Sequence, residues 1–224
     1  MTHPIPVIAI DGPSGSGKGT IAQRLARHLG WHYLDSGAMY RAFALATEQH
    51  HIQPDNVEAL VVLAKHLDLT FETSESAILL EGKSVTDAIR GEAVGILASK
   101  VSAFQEVRTA LLAKQHAFRQ APGLVADGRD MGTVVFPEAN LKLYLTATCE
   151  ERAQRRYQQL KAQGKSVKLA TLLHDLVERD RRDKERKASP LKPADDAIVI
   201  DTSKMGIDDV MLRVIKEVEL LGLA

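Results

Sequence analysis

Cysteine is almost absent from this 224-residue chain: Cys149 is the single example, so no disulfide can form within it. A chain without disulfides is typical of a reducing compartment, and a cytoplasmic location is therefore expected. Cys149 itself lies between a predicted strand and a predicted helix. At such a position we expect a small packing residue rather than a nucleophile.

An excess of positive charge is also lacking. Lysine plus arginine and aspartate plus glutamate both number 29, so the formal net charge is zero. Proteins that bind nucleic acid usually carry a basic excess, so no nucleic-acid partner is expected. The local basic clusters described below must then serve a small ligand.

Long apolar runs are missing as well. No apolar stretch reaches 18 residues, and the first residues have neither a basic region nor a long apolar core. The sequence therefore predicts no membrane-spanning helix and no secretion signal. The eight histidines are scattered, without the spacing of metal ligands.

What the chain does contain is an ordinary globular composition, 45% hydrophobic and 26% charged, which supports a sizeable core. Strand and helix patterns alternate, which predicts an α/β fold with a parallel sheet in a three-layer core. The length suits a single domain, residues 1–224, with an insertion. The five predicted strands are Pro6–Ile10, Trp31–Leu34, Leu124–Ala126, Leu141–Leu145 and Ala197–Ile200.

Two segments do not fit this core. Residues 66–104 contain two short apolar runs, 69–72 and 78–80, separated by a polar turn. They predict a small antiparallel hairpin with short helices, inserted between core elements. Residues 151–187 are highly charged and are predicted to form long helices.

A glycine-rich loop follows the first predicted strand and precedes a predicted helix. Glycines allow successive backbone N–H groups to turn toward one anion, and the helix adds its positive dipole end. The lysine adds a mobile charge that can reach terminal phosphates. We therefore predict an ATP-binding loop composed of Gly12, Pro13, Ser14, Gly15, Ser16, Gly17, Lys18, Gly19 and Thr20.

This loop departs from the strict pattern G-x-x-x-x-G-K-[ST]. Gly19 follows the lysine directly, and the expected hydroxyl comes one position later, at Thr20. Thr20 is the predicted Mg²⁺ ligand in the loop, with Ser16 as another candidate. Loops of the form G-x-x-G-x-G-K-G-T resemble those of nucleoside monophosphate kinases more than those of switch GTPases.

Two further motifs follow predicted strands and should face the same crevice. In residues 34–41, Asp35 or Ser36 can cap a helix from which Arg41 projects. The alternative is a capped helix with a surface arginine.

Residues 127–133 follow the buried strand 124–126. Asp127 can hold Mg²⁺ through water, and Arg129 offers a planar fork for phosphate. Asp130 is an acceptor that could bind an exocyclic amino group. The alternative is an ordinary surface turn.

The last motif is a pair of arginine-rich helices. Arg152, Arg155 and Arg156 share one face of the first, and Arg179, Arg182, Asp183 and Arg186 share one face of the second. Arg181–Glu185 and Asp180–Lys184 are predicted pairs on other faces. The alternative is a solvated, salt-bridged hairpin. A lid of arginines would instead surround a transferring phosphoryl group and exclude water.

Together these motifs resemble the bacterial cytidylate kinase family, a branch of the nucleoside monophosphate kinases, over nearly the whole chain. The strings that carry the resemblance are residues 10–15, 34–41 and 126–133. The resemblance implies transfer of the ATP γ-phosphate to CMP or dCMP with Mg²⁺. It also implies a monomer with a monophosphate-binding insert (about 66–104) and a lid (about 151–187).

The resemblance further implies roles for individual residues. Ser99, Arg108 and Asp130 would bind the cytosine edge, with Ser102 as an alternative to Ser99. Arg179 and Asp183 would contact the ribose, and Ser36 would lie in the same acceptor pocket. The acceptor phosphate would be held by Arg41, Arg129 and Arg186, and the transferring group would be stabilised by Lys18, Arg155 and Arg156.

Other functions share parts of this pattern. The glycine loop with the Y-x-x-x-K of residues 157–161 is superficially typical of a short-chain NAD-dependent reductase, but its G-x-x-G-x-G spacing and Lys18 argue against that. Another P-loop small-molecule kinase would lack residues 127–130 and the sizeable insert. A non-catalytic nucleotide switch would usually carry Ser or Thr directly after the lysine.

Overall fold

The computed structural model describes residues 4–72 and 77–223. The chain divides into two compact units. We call the part up to residue 34 together with the part from residue 116 the phosphate-loop unit. The inserted unit is formed by residues 35–115.

Strands and helices alternate along most of the described chain. The strands are β1 (Val7–Asp11), β2 (His32–Asp35), β3 (Leu69–Glu72), β4 (Ala77–Leu80), β5 (Lys83–Ser84), β6 (Leu124–Gly128), β7 (Leu141–Thr146) and β8 (Ile198–Asp201). The helices are α1 (Lys18–Leu29), α2 (Ser36–Gln49), α3 (Val57–His66), α4 (Glu92–Val101), α5 (Gln105–His116), α6 (Cys149–Ala162), α7 (Leu169–Glu185) and α8 (Ile207–Leu220). A 3₁₀ turn spans Ala88–Arg90 and a π-helical turn spans Met131–Val135.

The predicted five-stranded parallel sheet is confirmed in the phosphate-loop unit, with the strand order β2-β6-β1-β7-β8. The central strand β1 ends one residue later than its apolar run predicted. Its ladders continue through Asp11, which is paired with Gly128 of β6 and with Tyr144 of β7. The last residue of β1 is therefore held in the sheet on both sides.

Burial on both faces explains the continuous apolar run of β1. All five of its residues are buried, as expected for a central strand covered by helices on each side. Ile21 and Leu25 of α1 belong to the same buried cluster as Ile8, Ile10 and the β7 leucines. The cluster also includes three residues of α8 that lie one helical turn apart, namely Val210, Val214 and Val218.

The inserted unit has its own hydrophobic core, which includes Phe43, Leu60 and Leu111. The predicted hairpin is present, with Leu69 paired to Leu80 and Glu72 to Ala77. Its predicted polar turn falls on residues 73–76, outside the described residues. A third strand, β5, was not predicted because two exposed residues carry no periodic pattern.

Within residues 4–72 and 77–223, no helix combines the length and the apolar character needed to cross a membrane.

Candidate phosphate-binding site

The glycine loop leaves the sheet at its topological switch point. From β1 the chain runs to β2 and β6 on one side of the sheet, and then to β7 and β8 on the other. In open parallel sheets, ligands bind beyond the carboxyl ends of the strands where the order reverses. The loop between β1 and α1 lies at that point.

Two glycines are required by the path of the loop. A Cβ added to Gly12 would lie 2.0 Å from the Leu145 carbonyl oxygen, so the backbone must pass β7 without a side chain. Gly17 has a φ of 89°, which places it in the left-handed region that side chains rarely adopt. It precedes Lys18, the first residue of α1. The sharp entry into the helix therefore depends on glycine.

The carbonyl oxygens of the loop are held by donors from the surrounding protein. Lys18 Nζ donates to Pro13 at 3.2 Å, Arg152 Nη1 to Ser14 at 2.8 Å, and Thr202 Oγ1 to Ser16 at 3.1 Å. These contacts fix the peptide planes of the loop. The N–H groups of the first turn of a helix have no helical acceptor, so α1 adds its own donors and its positive end. The arrangement suits a polyphosphate.

The side chain of Asp11 joins this loop to the motif that follows β6. Its two carboxylate oxygens accept hydrogen bonds from the backbone N–H groups of Met131 and Gly132, both at 2.8 Å. Burial raises the pKa of Asp11 from 3.8 to about 6. The two backbone donors and Lys18 oppose this rise, while the charge of Asp130 adds to it. A buried carboxylate thus connects the two motifs of the site.

Asp127 lies against the start of α1. Its carboxylate accepts a hydrogen bond from Tyr33 Oη at 2.7 Å, and a Cβ added to Gly19 would lie 3.7 Å from its Oδ2 atom. Gly19, in the first turn of α1, therefore lies beside this carboxylate. The neighbouring Thr20 is exposed.

These residues fit a Mg²⁺ ion held mainly by nucleotide phosphates. Ser16 Oγ is buried and has no hydrogen-bond partner within the described residues, which makes it an oxygen available to such a group. Residues 4–72 and 77–223 contain no cluster of three or more His, Cys, Asp or Glu side chains that could bind a metal ion by themselves. Mg²⁺ commonly binds through one or two carboxylates, waters and substrate phosphates.

A cluster of arginines surrounds Asp183. Arg129 Nε donates to Asp183 Oδ2 at 2.9 Å. Burial tends to raise the pKa of Asp183, but Arg129, Arg179 and Arg186 outweigh it and hold that pKa below its ordinary value. The structure thus brings Arg129, from the turn after β6, to Asp183 on the predicted face of α7. Arg182, predicted on the same face, is instead exposed and donates to the Glu178 carbonyl oxygen. Several cations around one carboxylate make a local surplus of positive charge suited to phosphate.

The outer side of α7 matches the salt-bridged alternative. Arg181 donates to Glu178 and to Glu185 on the exposed surface of the helix. The predicted Asp180–Lys184 pair is replaced by a different contact, because Asp180 is buried and accepts hydrogen bonds from Arg152 of α6. The charged run therefore has a solvated side and a buried side.

The remaining arginines of α6 contact other groups. Arg155 donates to the hydroxyl and to the carbonyl oxygen of Thr202, and Arg156 donates to Gln159 Oε1. Arg155 is therefore linked to the loop through Thr202, because the Thr202 hydroxyl also donates to the Ser16 carbonyl oxygen.

The inserted unit contains four of the predicted substrate residues. Ser36 Oγ donates to Gln115 Oε1 at 2.9 Å, and Arg41 Nη1 donates to the carbonyl oxygens of Ile89 and Gly91. Asp35, rather than Ser36, caps α2 by accepting from Ala38 N at 2.8 Å.

Arg108 and the two candidate serines lie in the same unit. Arg108 is buried, with its guanidinium 5.3 Å from the centre of the Tyr40 ring and Nη1 3.2 Å from the Ser102 carbonyl oxygen. Ser99 is half-buried, and its carbonyl accepts from Ser102 Oγ. The two serines are thus close to each other, and the carbonyl oxygen of Ser102 accepts a hydrogen bond from Arg108.

Three residues that shape the site have no specific role predicted from the sequence. Asp11 belongs to a string that carries the family resemblance, and its place at the end of β1 is a usable signal. Arg152 shares a helical spacing with Arg155 and Arg156, and that spacing does not reveal its burial. Thr202 follows β8, and nothing in its local sequence indicated a contact with residue 16.

Comparisons with known proteins point to one family. The family model described as Cytidylate kinase matches residues 8–220. The chain is 58% identical over 222 residues to a cytidylate kinase of Stutzerimonas stutzeri, covering 97% of each. It is 57% identical to one of Shewanella frigidimarina, with the same coverage, and 56% identical to one of Pseudomonas aeruginosa, covering 99% of each.

The raised pKa of Asp11 predicts a pH-dependent stability. The folded state binds the proton of the Asp11 carboxyl more tightly than the unfolded state does. The stabilisation that Asp11 contributes is therefore present at low pH and is lost as the pH rises from about 4 to about 6. The free energy of unfolding of the wild type minus that of Asp11→Asn should fall by up to about 3 kcal/mol over this range. Urea unfolding across this range measures it, and a constant or rising difference would contradict the prediction.

Proposed function

The chain belongs to the cytidylate kinase family and has its phosphotransferase activity, and we propose how its residues move the γ-phosphate of ATP onto CMP or dCMP. The products are ADP and CDP or dCDP. The observation that carries the proposal is the proximity of a fixed phosphate loop to an arginine cluster within one unit. The turn after β6 joins them, since Met131 and Gly132 bind Asp11 while Arg129 binds Asp183.

The donor triphosphate is held by residues 12–20. The fixed loop presents backbone N–H groups, and Lys18 moves its ammonium from the Pro13 carbonyl to the terminal phosphates. Thr20 and, through water, Asp127 would hold Mg²⁺, with Ser16 Oγ as a further oxygen. Mg²⁺, when bound there, supplies positive charge to the β- and γ-phosphates.

Arg129 and Arg186 hold the acceptor phosphate, and the family resemblance implies the same role for Arg41. Asp183 keeps the Arg129 guanidinium in one orientation, and with Arg179 it binds the ribose. An acceptor phosphate oxygen is already a nucleophile, so no general base is needed. Alignment and charge neutralisation then account for the catalysis.

Asp130 binds the cytosine edge, and the family resemblance implies the same role for Arg108 and Ser99. Cytosine offers an N4 amino donor together with N3 and O2 acceptors. Uracil has the oxygen O4 where cytosine has the N4 amino group, so a buried carboxylate would face an oxygen that has no hydrogen to donate. This mismatch should favour cytosine over uracil by about 10²-fold or more. Asp130 is only 2% exposed, so such a mismatch would be costly.

Residues 151–187 act as a lid, in which Arg155 and Arg156 neutralise charge on the transferring phosphoryl group. Residues 66–104 serve as the monophosphate-binding insert. The protein works as a cytoplasmic monomer in pyrimidine nucleotide metabolism.

The reaction is tested by ADP release from MgATP with a panel of acceptors: CMP, dCMP, UMP, AMP, GMP and shikimate. We expect fast turnover with CMP and dCMP, weak turnover with UMP and none with the others. Turnover with a different acceptor would overturn the cytosine roles and favour another P-loop kinase. A lack of acceptor-dependent turnover would favour a nucleotide switch.

Lys18→Met should lower kcat/KM for CMP by about 10²-fold or more, because a charge directed at the transferring group is lost. Lys216→Met, at an exposed position on α8, is the matched control and should retain activity. Steady-state kinetics with both variants checks this expectation, and an active Lys18→Met would contradict it.

Asp130→Asn should change the choice of base rather than the affinity for ATP. An amide can turn its NH₂ group toward uracil O4, so the ratio of kcat/KM for CMP to that for UMP should fall by about tenfold or more. The exposed Asp55→Asn serves as the control. Equal losses of CMP and ATP affinity would instead give Asp130 a structural or metal-binding role.

A further inference from the structure

Arg152 differs from the other arginines of the charged helices, because it is only 2% exposed. It lies in the first turn of α6, one turn before Arg155 and Arg156. Its side chain is surrounded by acceptors from three other parts of the phosphate-loop unit. They are the Ala147 carbonyl after β7, the Ser14 carbonyl of the glycine loop, and Asp180 of α7.

The guanidinium of Arg152 is fully used by these contacts. Nε donates to Ala147 O at 3.0 Å, Nη1 to Ser14 O at 2.8 Å and to Asp180 Oδ1 at 3.1 Å, and Nη2 to Asp180 Oδ2 and to Cys149 Sγ at 3.0 Å. An arginine has five N–H donors, and five contacts are present. Arg152 is therefore not a side chain that reaches out to the substrate.

The stem of Arg152 also supports the loop. A Cβ added to Gly15 would lie 3.2 Å from the Cβ of Arg152, so the loop lies directly against this side chain. The loop is thus fixed at adjacent peptides, with the Ser14 carbonyl bound and Gly15 in contact. Asp180 binds two nitrogens of the same guanidinium and sets its orientation.

We propose that Arg152 is a positioning residue for the donor phosphates, held in place by Asp180. By binding the Ser14 carbonyl, it turns the adjacent peptide so that the loop presents its N–H groups to a triphosphate. This inference rests on the proposed function of the loop. It assigns Arg152 an effect on the polyphosphate that does not involve contact with the nucleotide.

The test compares Arg152→Met, Asp180→Asn and the control Arg181→Met, which removes an exposed, ion-paired arginine of α7. Arg152→Met removes the bond to Ser14 and leaves the buried Asp180 without its cation. Asp180→Asn keeps the Ser14 bond and one acceptor for the guanidinium, so it preserves folding more readily. Binding is measured by calorimetry with MgATP, with magnesium tripolyphosphate and with CMP, after thermal unfolding has verified that each variant is folded.

Arg152→Met should weaken the binding of MgATP and of magnesium tripolyphosphate by the same factor, about tenfold or more. Asp180→Asn should weaken both by a smaller factor, and Arg181→Met should weaken neither. The affinity for CMP should change much less than the affinity for MgATP.

Three results would overturn the proposal. Unchanged affinity for both polyphosphates would limit Arg152 to a role in stability. A loss for MgATP without a loss for tripolyphosphate would mean direct contact with the nucleoside. An equal loss for CMP would mean a general disruption of the fold. A wild type that binds no MgATP would instead overturn the proposed function of the loop.

Cys149 provides a second readout, since it is the single cysteine and its Sγ accepts from Arg152 Nη2 at 3.0 Å. Its rate of reaction with a thiol reagent reports whether this contact set is intact. The rate should change several-fold in Arg152→Met and in Asp180→Asn, because each variant alters a charged group that contacts Sγ, and stay unchanged in Arg181→Met. An unchanged rate in the first two variants would show that they leave the local geometry intact, which contradicts the proposed coupling.

Discussion

The bond between the Asp11 carboxylate and the Met131 and Gly132 amides is the constraint on which the site depends. It connects the end of β1, where the glycine loop begins, to the turn after β6, where Asp127, Arg129 and Asp130 lie. Both strands are adjacent and parallel, so the sheet brings the two motifs near each other and the carboxylate fixes their spacing. Burial makes the Asp11 carboxylate costly to ionise, and its two backbone donors offset part of that cost.

The same residue type does three different things in this structure, and its surroundings decide which. Arg181, exposed between two glutamates, contributes little to stability. Arg129 is oriented by Asp183 while belonging to a cluster with surplus positive charge. Arg152 is fully buried and fully hydrogen-bonded, so it orders the backbone around it. Charge patterning along a helix cannot separate these cases, because it records spacing but not the partner across the fold.

Much of the fold and part of the site could be predicted from the sequence. The strand, glycine loop and helix of residues 7–29 are defined by local signals, and so are the strands that follow them in the parallel sheet. The contacts that shape the loop are not local. Ser14 and Arg152 are 138 residues apart, and Ser16 and Thr202 are 186 apart, so only the folded chain brings them together. The strand β5 was missed because two residues are too few to show a period.

The inserted unit is one unbroken stretch of chain with a hydrophobic core of its own. An uninterrupted segment with a separate core can accumulate substitutions, or be exchanged as a block, without repacking the sheet that carries the phosphate loop. Ser99 and Arg108 belong to this segment, whereas Lys18, Arg129 and Asp183 do not. Substitutions within residues 35–115 can therefore accumulate while the sheet that carries the phosphate loop keeps its packing.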